Sequence, residues 1–240
     1  MKSQSVTLNR NLRAAWLVDA LKLRANDVDS VEAVKQIDGQ IALDIRGAES
    51  RRKSLRYLRQ LWLEPHPKLE KLQQEAFELY RSDPREETAR ALSYFMLLAV
   101  YPFAREVAEA CGQLFRLQGT IKTEQVKRKI ASQLGDREPV LRSTRYVIAI
   151  FLDLGLLKTT NEKGVYVGST KRTVSVQTAL FALKAIFASY SDRINIARNE
   201  IETHPALFAF DANEILGKAL ASFEFTMSRE SLSRQIVAPL

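Results

Sequence analysis

One cysteine and two histidines occur in 240 residues. The lone thiol excludes an intramolecular disulfide, and so few soft ligands argue against a dedicated zinc site. Nine glycines and seven prolines exclude a collagen-like or low-complexity chain and speak against a turn-rich β-sandwich. A phosphate-cradling glycine loop is missing, so nucleotide hydrolysis of the common kind has no support. Long apolar runs are missing too. The most apolar stretch, Ala91 to Ala104, lies between Arg90 and Arg105 and contains Ser93 and Pro102. It is shorter than the roughly 20 residues a membrane-spanning helix needs and reads as a buried core helix, with no membrane partner. Met1 to Asn11 is polar and shows no secretory signal, which with the single thiol points to a reducing cytoplasm.

What is present is an ordinary globular balance, 46% hydrophobic and 27% charged. The length suits one large domain or two small ones and can bury a sizeable core without staples. The net charge is +8, and its distribution is uneven. Arg116 to Arg172 holds twelve basic and five acidic residues, so this quarter of the chain carries +7. A smaller cluster comprises Arg46, Arg51, Arg52, Lys53, Arg56 and Arg59 against Glu49 alone. A local surplus is the footprint of a polyanionic partner.

Apolar spacing of three and four residues predicts helix over most of the chain. Leu12 to Leu23 carries one such stripe. A second helix starts at Asp29-Ser30, and a basic one runs from Ser50 to Leu63. Lys68 to Tyr80 follows, then a helix opened by Asp83-Pro84 and ended or kinked at Pro102. Beyond Arg172, helices are expected over Ser175 to Tyr190, Arg193 to Glu202 and Asn213 to Met227, with a fraying tail from Ser228 to Leu240. The organisation expected is a helical region over 1–102, a module over 103–172 and a helical region over 173–240 that packs on the rest.

Residues 103–172 break the helical monotony. A helix from Phe103 to Leu117 precedes a short extended Thr120-Ile121-Lys122. Helices follow over Glu124 to Leu134 and from Glu138-Pro139 to Leu154, where Gly155 is a natural stop. Leu156 to Thr160 and Val165 to Val167, around the turn Asn161 to Gly164, form a hairpin. This is the element order of a winged helix. The fold class is therefore mainly α, a multi-helix protein with an embedded winged helix-turn-helix module and a small β-hairpin wing.

In such modules the N-terminal half of the third helix enters the major groove. Arg142 and Arg145 share a face there with Ala149, and Ser143 and Thr144 lie beside them; Arg reads guanine, and Ser and Thr reach bases or phosphates. Lys127, Arg128 and Lys129 on the preceding helix are candidates for backbone phosphates, with Lys122 ahead of them. The wing offers Lys158 and Lys163, and Lys171 and Arg172 follow it. Arg51, Arg52 and Lys53 form either a further phosphate strip or a solvated helix face. Glu124 and Glu138 lie inside the basic module. Asp153 suits a duplex only if its end of the third helix points away.

Other chemistry-bearing residues read as structural. His66 and His204 each adjoin a proline, in keeping with capping or surface roles. Cys111 sits on an apolar helix face as a buried thiol. Glu86 and Glu87 begin a helix, where they complement its dipole. Tyr94, Phe95 and Tyr101 follow an apolar stripe and suit core packing better than base stacking. No catalytic residues, no cofactor and no metal are expected.

The layout resembles the BrxA-type small component of bacteriophage exclusion defence systems. The likeness rests on the basic Ser50-Arg51-Arg52-Lys53-Ser54-Leu55-Arg56-Tyr57-Leu58 helix, the Ala91-to-Val107 helix pair and the module ending in Asp153-Leu154-Gly155-Leu156-Leu157. It covers about Asn11 to Thr170. It implies a mostly helical, non-enzymatic protein associated with DNA in a bacterial anti-phage complex, with other defence proteins as partners. The expectation is a protein that binds double-stranded DNA without chemistry. The competing readings are a transcriptional regulator, a helical protein-interaction scaffold without nucleic acid, and a metal-dependent nuclease assembled from distant carboxylates.

Overall fold

The computed structural model describes residues 8–190, 193–222, 224–231 and 234–240. Most of Met1 to Asn11, read above for a leader, lies outside them, as do Leu232 and Ser233 of the tail. Eleven α-helices dominate, with two small antiparallel sheets among the described residues.

The N-terminal region follows its apolar periodicity. Helix α1 spans Ala14–Ala25, and α2 spans Ser30–Asp44 behind an Asp29 cap whose carboxylate accepts from Val31 N–H and Glu32 N–H. The basic helix α3, Ala48–Leu58, passes into a π-helical turn, Arg59–Leu63. That turn buries Leu61, Trp62 and Leu63 in succession at the end of a helix whose outer face is charged. The loosened backbone is satisfied by buried Gln73, whose amide donates to Leu61 O (2.9 Å) and Glu64 O (3.1 Å). Helix α4, Glu70–Ser82, carries Gln73, and His66 Nδ1 accepts from Lys68 N–H and Leu69 N–H just before it. Helix α5, Glu86–Val100, is buried nearly all round and is the central post of the molecule, flanked by α1, α4, α9 and α6.

Helix α6, Pro102–Gln118, leads into strand β1, Thr120–Lys122. Then come α7, Thr123–Leu134, and α8, Glu138–Asp153. Strands β2, Leu157–Thr159, and β3, Val165–Gly168, close the module as a hairpin. The sheet order is β1-β3-β2, with Ile121 opposite Tyr166 and Lys158 opposite Val167. Gly155 stops α8 at φ 73°, a left-handed conformation that penalises any Cβ. Leu156 N–H reaches back to Phe151 O and Gly155 N–H to Leu152 O, the paired bonds of a Schellman end, with Leu156 packed beneath.

The C-terminal region departs from the expectation. Helix α9, Val176–Ser189, forms where expected, capped by Ser175. The expected helix over Arg193 to Glu202 is instead strand β4, Ile196–Ala197, and a short α10, Arg198–Glu202, followed by a 3-10 turn at Pro205–Leu207. Helix α11 ends early, at Ala212–Ala221. The tail pairs as β5, Phe225–Arg229, with β6, Gln235–Pro239, in a second sheet ordered β4-β6-β5. Phe225 and Val237 are the buried anchors, and Phe225 lies 5.5 Å from Phe187 of α9. Two anchors in fifteen residues are too faint a period to read, which is why this sheet escaped sequence reasoning.

All three regions contribute to one buried apolar cluster. Its aromatic centre is Tyr94 of α5, with Phe151 of α8 edge-on at 5.6 Å and Phe210 stacked at 5.7 Å. The Tyr94 hydroxyl, buried, donates to Ala206 O. Module and body are thus packed through α8 rather than strung on a linker.

Candidate nucleic-acid interface

Helix α8 is amphipathic because Val140, Val147, Ile150 and Phe151 turn inward. Arg142 and Arg145 stand exposed on the opposite face, with Ala149 half-buried below them. Ser143 and Thr144 do not join them. Both are fully buried, at 0% exposure, because they fall one turn from Val140 and Val147 on the inner face. Thr144 Oγ1 spends its proton on Val140 O (2.9 Å). These two residues are withdrawn as base or phosphate contacts.

The other cations divide by their partners. Lys122 bonds Glu162 in the wing turn at 2.9 Å, and Lys127 bonds Glu124 at 2.9 Å with most of its side chain covered. Arg145 keeps only a loose 3.8 Å contact with Glu138. Arg128, Lys129, Arg142, Lys158, Lys163 and Lys171 make no ion pair among the described residues. Of the two acidic residues inside the basic module, Glu124 is thus paired with Lys127, while Glu138 stays exposed with only the loose Arg145 contact. The wing turn is tied to the start of α7 by Thr123 N–H on Gly164 O (2.9 Å), which brings Lys163 alongside that helix.

One groove brings α8 and the wing together. A cavity of about 620 Å³ is lined by Ala149, Leu152 and Asp153 of α8, Leu157, Lys158 and Thr159 of β2, and Asn11 and Arg13 ahead of α1, so an acidic residue shares it with Lys158. The outward face of α8 and the Lys158 strand thus share one concavity. Arg13, which pairs with Asp44 at 3.0 Å, was not anticipated. It lies 136 residues from Ala149 in sequence, and no local spacing signals that approach.

The far end of α8 is locked to the body. The Asp153 carboxylate accepts from Ala14 N–H and so caps α1. Arg90 donates to Asp153 O, and Arg172 donates to Leu154 O and Gly155 O (3.2 and 2.7 Å). Two guanidiniums thus sit on the C-terminal carbonyls of α8, where its dipole is negative. Burial, with Arg90 nearby, lowers the Arg172 pKa. Arg172 is a structural clamp, and its assignment to DNA is withdrawn because its Nη2 is spent on two backbone carbonyls and its Nη1 is buried. Lys171 remains exposed beside it.

On α3 the charges are largely neutralised. Arg51 approaches Asp38 at 3.5 Å and donates to Arg46 O, while Arg52 and Lys53 share Glu49 at 2.7 and 3.0 Å. Surface pairs of this kind break cheaply, so the strip retains cations for a polyanion at low salt.

His204, expected in a capping or surface role, is buried at 7% exposure. Its Nε2 lies 2.9 Å from the Tyr190 hydroxyl, which donates to Glu109 (2.6 Å). The hydroxyl has one proton, so Nε2–H is the donor to it and Nδ1 is left bare and buried without a partner. Arg105 and Arg193 flank the Tyr190 ring at 4.3 and 4.7 Å. Burial first, then these two cations, lowers the His204 pKa to about 4. An unfolded histidine titrates near 6.5. Below that pH the unfolded chain takes up a proton that the folded chain refuses, so stability falls as pH drops from 6.5 towards 4. The loss attributable to this residue is about 3 kcal/mol by pH 4. Chemical denaturation of the parent and of His204→Gln at pH 7 and pH 4.5 measures it. The variant's stability should fall less over that interval, and equal falls would exclude the mechanism. Cys111 is fully buried, and burial pushes its thiol far up, so it is not poised as a nucleophile.

Among the described residues no cluster of three or more His, Cys, Asp or Glu could hold a metal, and no helix is long and apolar enough to cross a membrane. Comparisons with protein-family models, with curated proteins and with solved structures each find no match.

Proposed function

We propose that residues 103–172 form a winged helix with which this protein binds double-stranded DNA without chemistry. The observation that carries the reading is the exposed outer face of α8, where Arg142 and Arg145 stand two turns and one turn before Ala149, which lines a groove with Lys158 of the wing. Arg142 and Arg145 address base edges in the major groove. Lys158 and Lys163 hold backbone beyond the helix, and Arg128 and Lys129 hold it on the near side. Asp153 stays exposed in the same groove while one of its carboxylate oxygens caps α1, so the phosphate path in this pose runs past the N-terminal half of α8 and the wing rather than over its acidic end. The resemblance to the BrxA-type component supports a place in a bacterial anti-phage complex of the bacteriophage exclusion kind.

A gel-shift titration of the full chain against duplex, single-stranded DNA and RNA over a salt series tests it. Four cations on phosphates, Arg128, Lys129, Lys158 and Lys163, give a log–log salt slope of about −3.6 for duplex. Absence of duplex binding at micromolar protein in about 50 mM salt overturns the reading. Salt-insensitive co-purification with a stoichiometric protein partner, without nucleic acid, would favour a scaffold instead.

A further inference from the structure

A second cavity lies away from the α8 face. We propose that it is a binding site for a small phosphomonoester. It encloses about 730 Å³, within the 300–1,000 Å³ typical of small-molecule sites. Its walls come from the start of α5, from the segment that leaves β3 and enters α9, and from Phe210.

The chemistry of the walls selects the ligand. Arg85, Lys171 and Arg172 line the cavity against one carboxylate, Glu87. With Asp83 paired to Arg85, the local excess is one positive charge. Arg85 is engaged through Nε and Nη2 with Asp83 at 2.6 and 2.7 Å, which leaves its Nη1 unused. Lys171 has no partner among the described residues. Arg172 spends Nη2 on the end of α8, while its Nη1 is buried with no hydrogen-bond partner. The hydroxyls of Thr170 and Thr173 line the same wall, and neither makes a hydrogen bond among the described residues.

A phosphomonoester has three strong acceptor oxygens, enough to engage exposed Lys171, the unused Nη1 of Arg85 and the Thr170 and Thr173 hydroxyls together, and its charge of about −1.5 to −2 at neutral pH favours a wall with a cationic surplus. A phosphodiester carries half that charge and would have to thread its chain into a recess. Buried Phe210 and Ala91 give the remainder of the ligand an apolar wall. The occupant would rest against the guanidinium that clamps the end of α8. The site stands whether or not the duplex reading holds.

Calorimetry and thermal melting of the full chain with adenosine 5′-monophosphate, glucose 6-phosphate, orthophosphate and adenosine test the site. The expected result is that at least one phosphomonoester binds with a Kd of about 1 mM or tighter and outcompetes orthophosphate, while adenosine gives no heat. Lys171→Ala, an exposed position that leaves the fold intact, should weaken that binding about tenfold, whereas Arg128→Ala with Lys129→Ala, outside the cavity lining, should leave it unchanged. Failure of both phosphomonoesters, or unaltered binding in Lys171→Ala, overturns the proposal. So does an equal loss of phosphomonoester binding in Arg128→Ala with Lys129→Ala, since the cavity would then not be what holds the ligand.

Discussion

Replacing Arg142 and Arg145 together by alanine should weaken duplex binding by between about 30-fold and 10⁴-fold, because a guanidinium fork on a base edge is worth about 1–3 kcal/mol. Both side chains are exposed, so the fold should be unaffected. Any preference among duplex sequences should fall with the affinity. The matched control is Arg128→Ala with Lys129→Ala on α7, chosen because Lys127 is already occupied by Glu124. That pair should weaken all duplexes alike and make the salt slope shallower by about 2. Competition titrations with several duplexes separate the two outcomes. If both double variants lose the same factor on every duplex, α8 does not read bases.

Gly112→Ala should cost at least about 3 kcal/mol, for a reason that lies wholly in tertiary packing. Gly112 is in the middle of α6, and a Cβ there would stand 1.9 Å from Pro205 O, 2.6 Å from its carbonyl carbon and 2.9 Å from its Cα. All three are backbone atoms, so no side chain can swing aside. The 3-10 turn that presents them is held by the Tyr94 hydroxyl on Ala206 O and by Arg116 on Thr203 O. Alanine gains up to about 1 kcal/mol in helix propensity, which the clash outweighs. For a chain of this size the loss lowers Tm by about 6–12 °C. Gly217→Ala in α11, where a Cβ meets nothing within 4 Å, should raise Tm slightly and serves as the internal control. A Gly112→Ala protein that melts within a degree or two of the parent would show that the turn does not seat against α6.

The same contrast explains what was legible. The helices α1 to α9 follow apolar periods, so their order and approximate limits could be read from composition along the chain. The helix–strand–helix–helix–hairpin order of 103–172 was equally plain, because Gly119, Gly135, Gly155 and Gly164 all adopt positive φ and punctuate it. The π-turn after α3 was not legible, since its stability comes from Gln73, which arrives from the next helix. The sheet formed by β4, β5 and β6 was not legible either, because the β5–β6 hairpin buries only two anchors and β4 pairs with β6 from some forty residues away.

Side-chain roles divide along the same line. That Arg142 and Arg145 share a face follows from 100° of rotation per residue, and so the sequence alone determined where the positive charge gathers and which helix carries it. It did not determine which cations are available. Ser143 and Thr144 are adjacent to the arginines in sequence, yet they were lost to the interior once α8 packed on Tyr94. Arg172 was drawn onto the carbonyls of Leu154 and Gly155, and Lys127 and Lys122 onto Glu124 and Glu162. Only tertiary structure could make those assignments, because a charge is fixed by residue type, whereas its partners depend on which backbone and side chains the fold carries within about 3 Å.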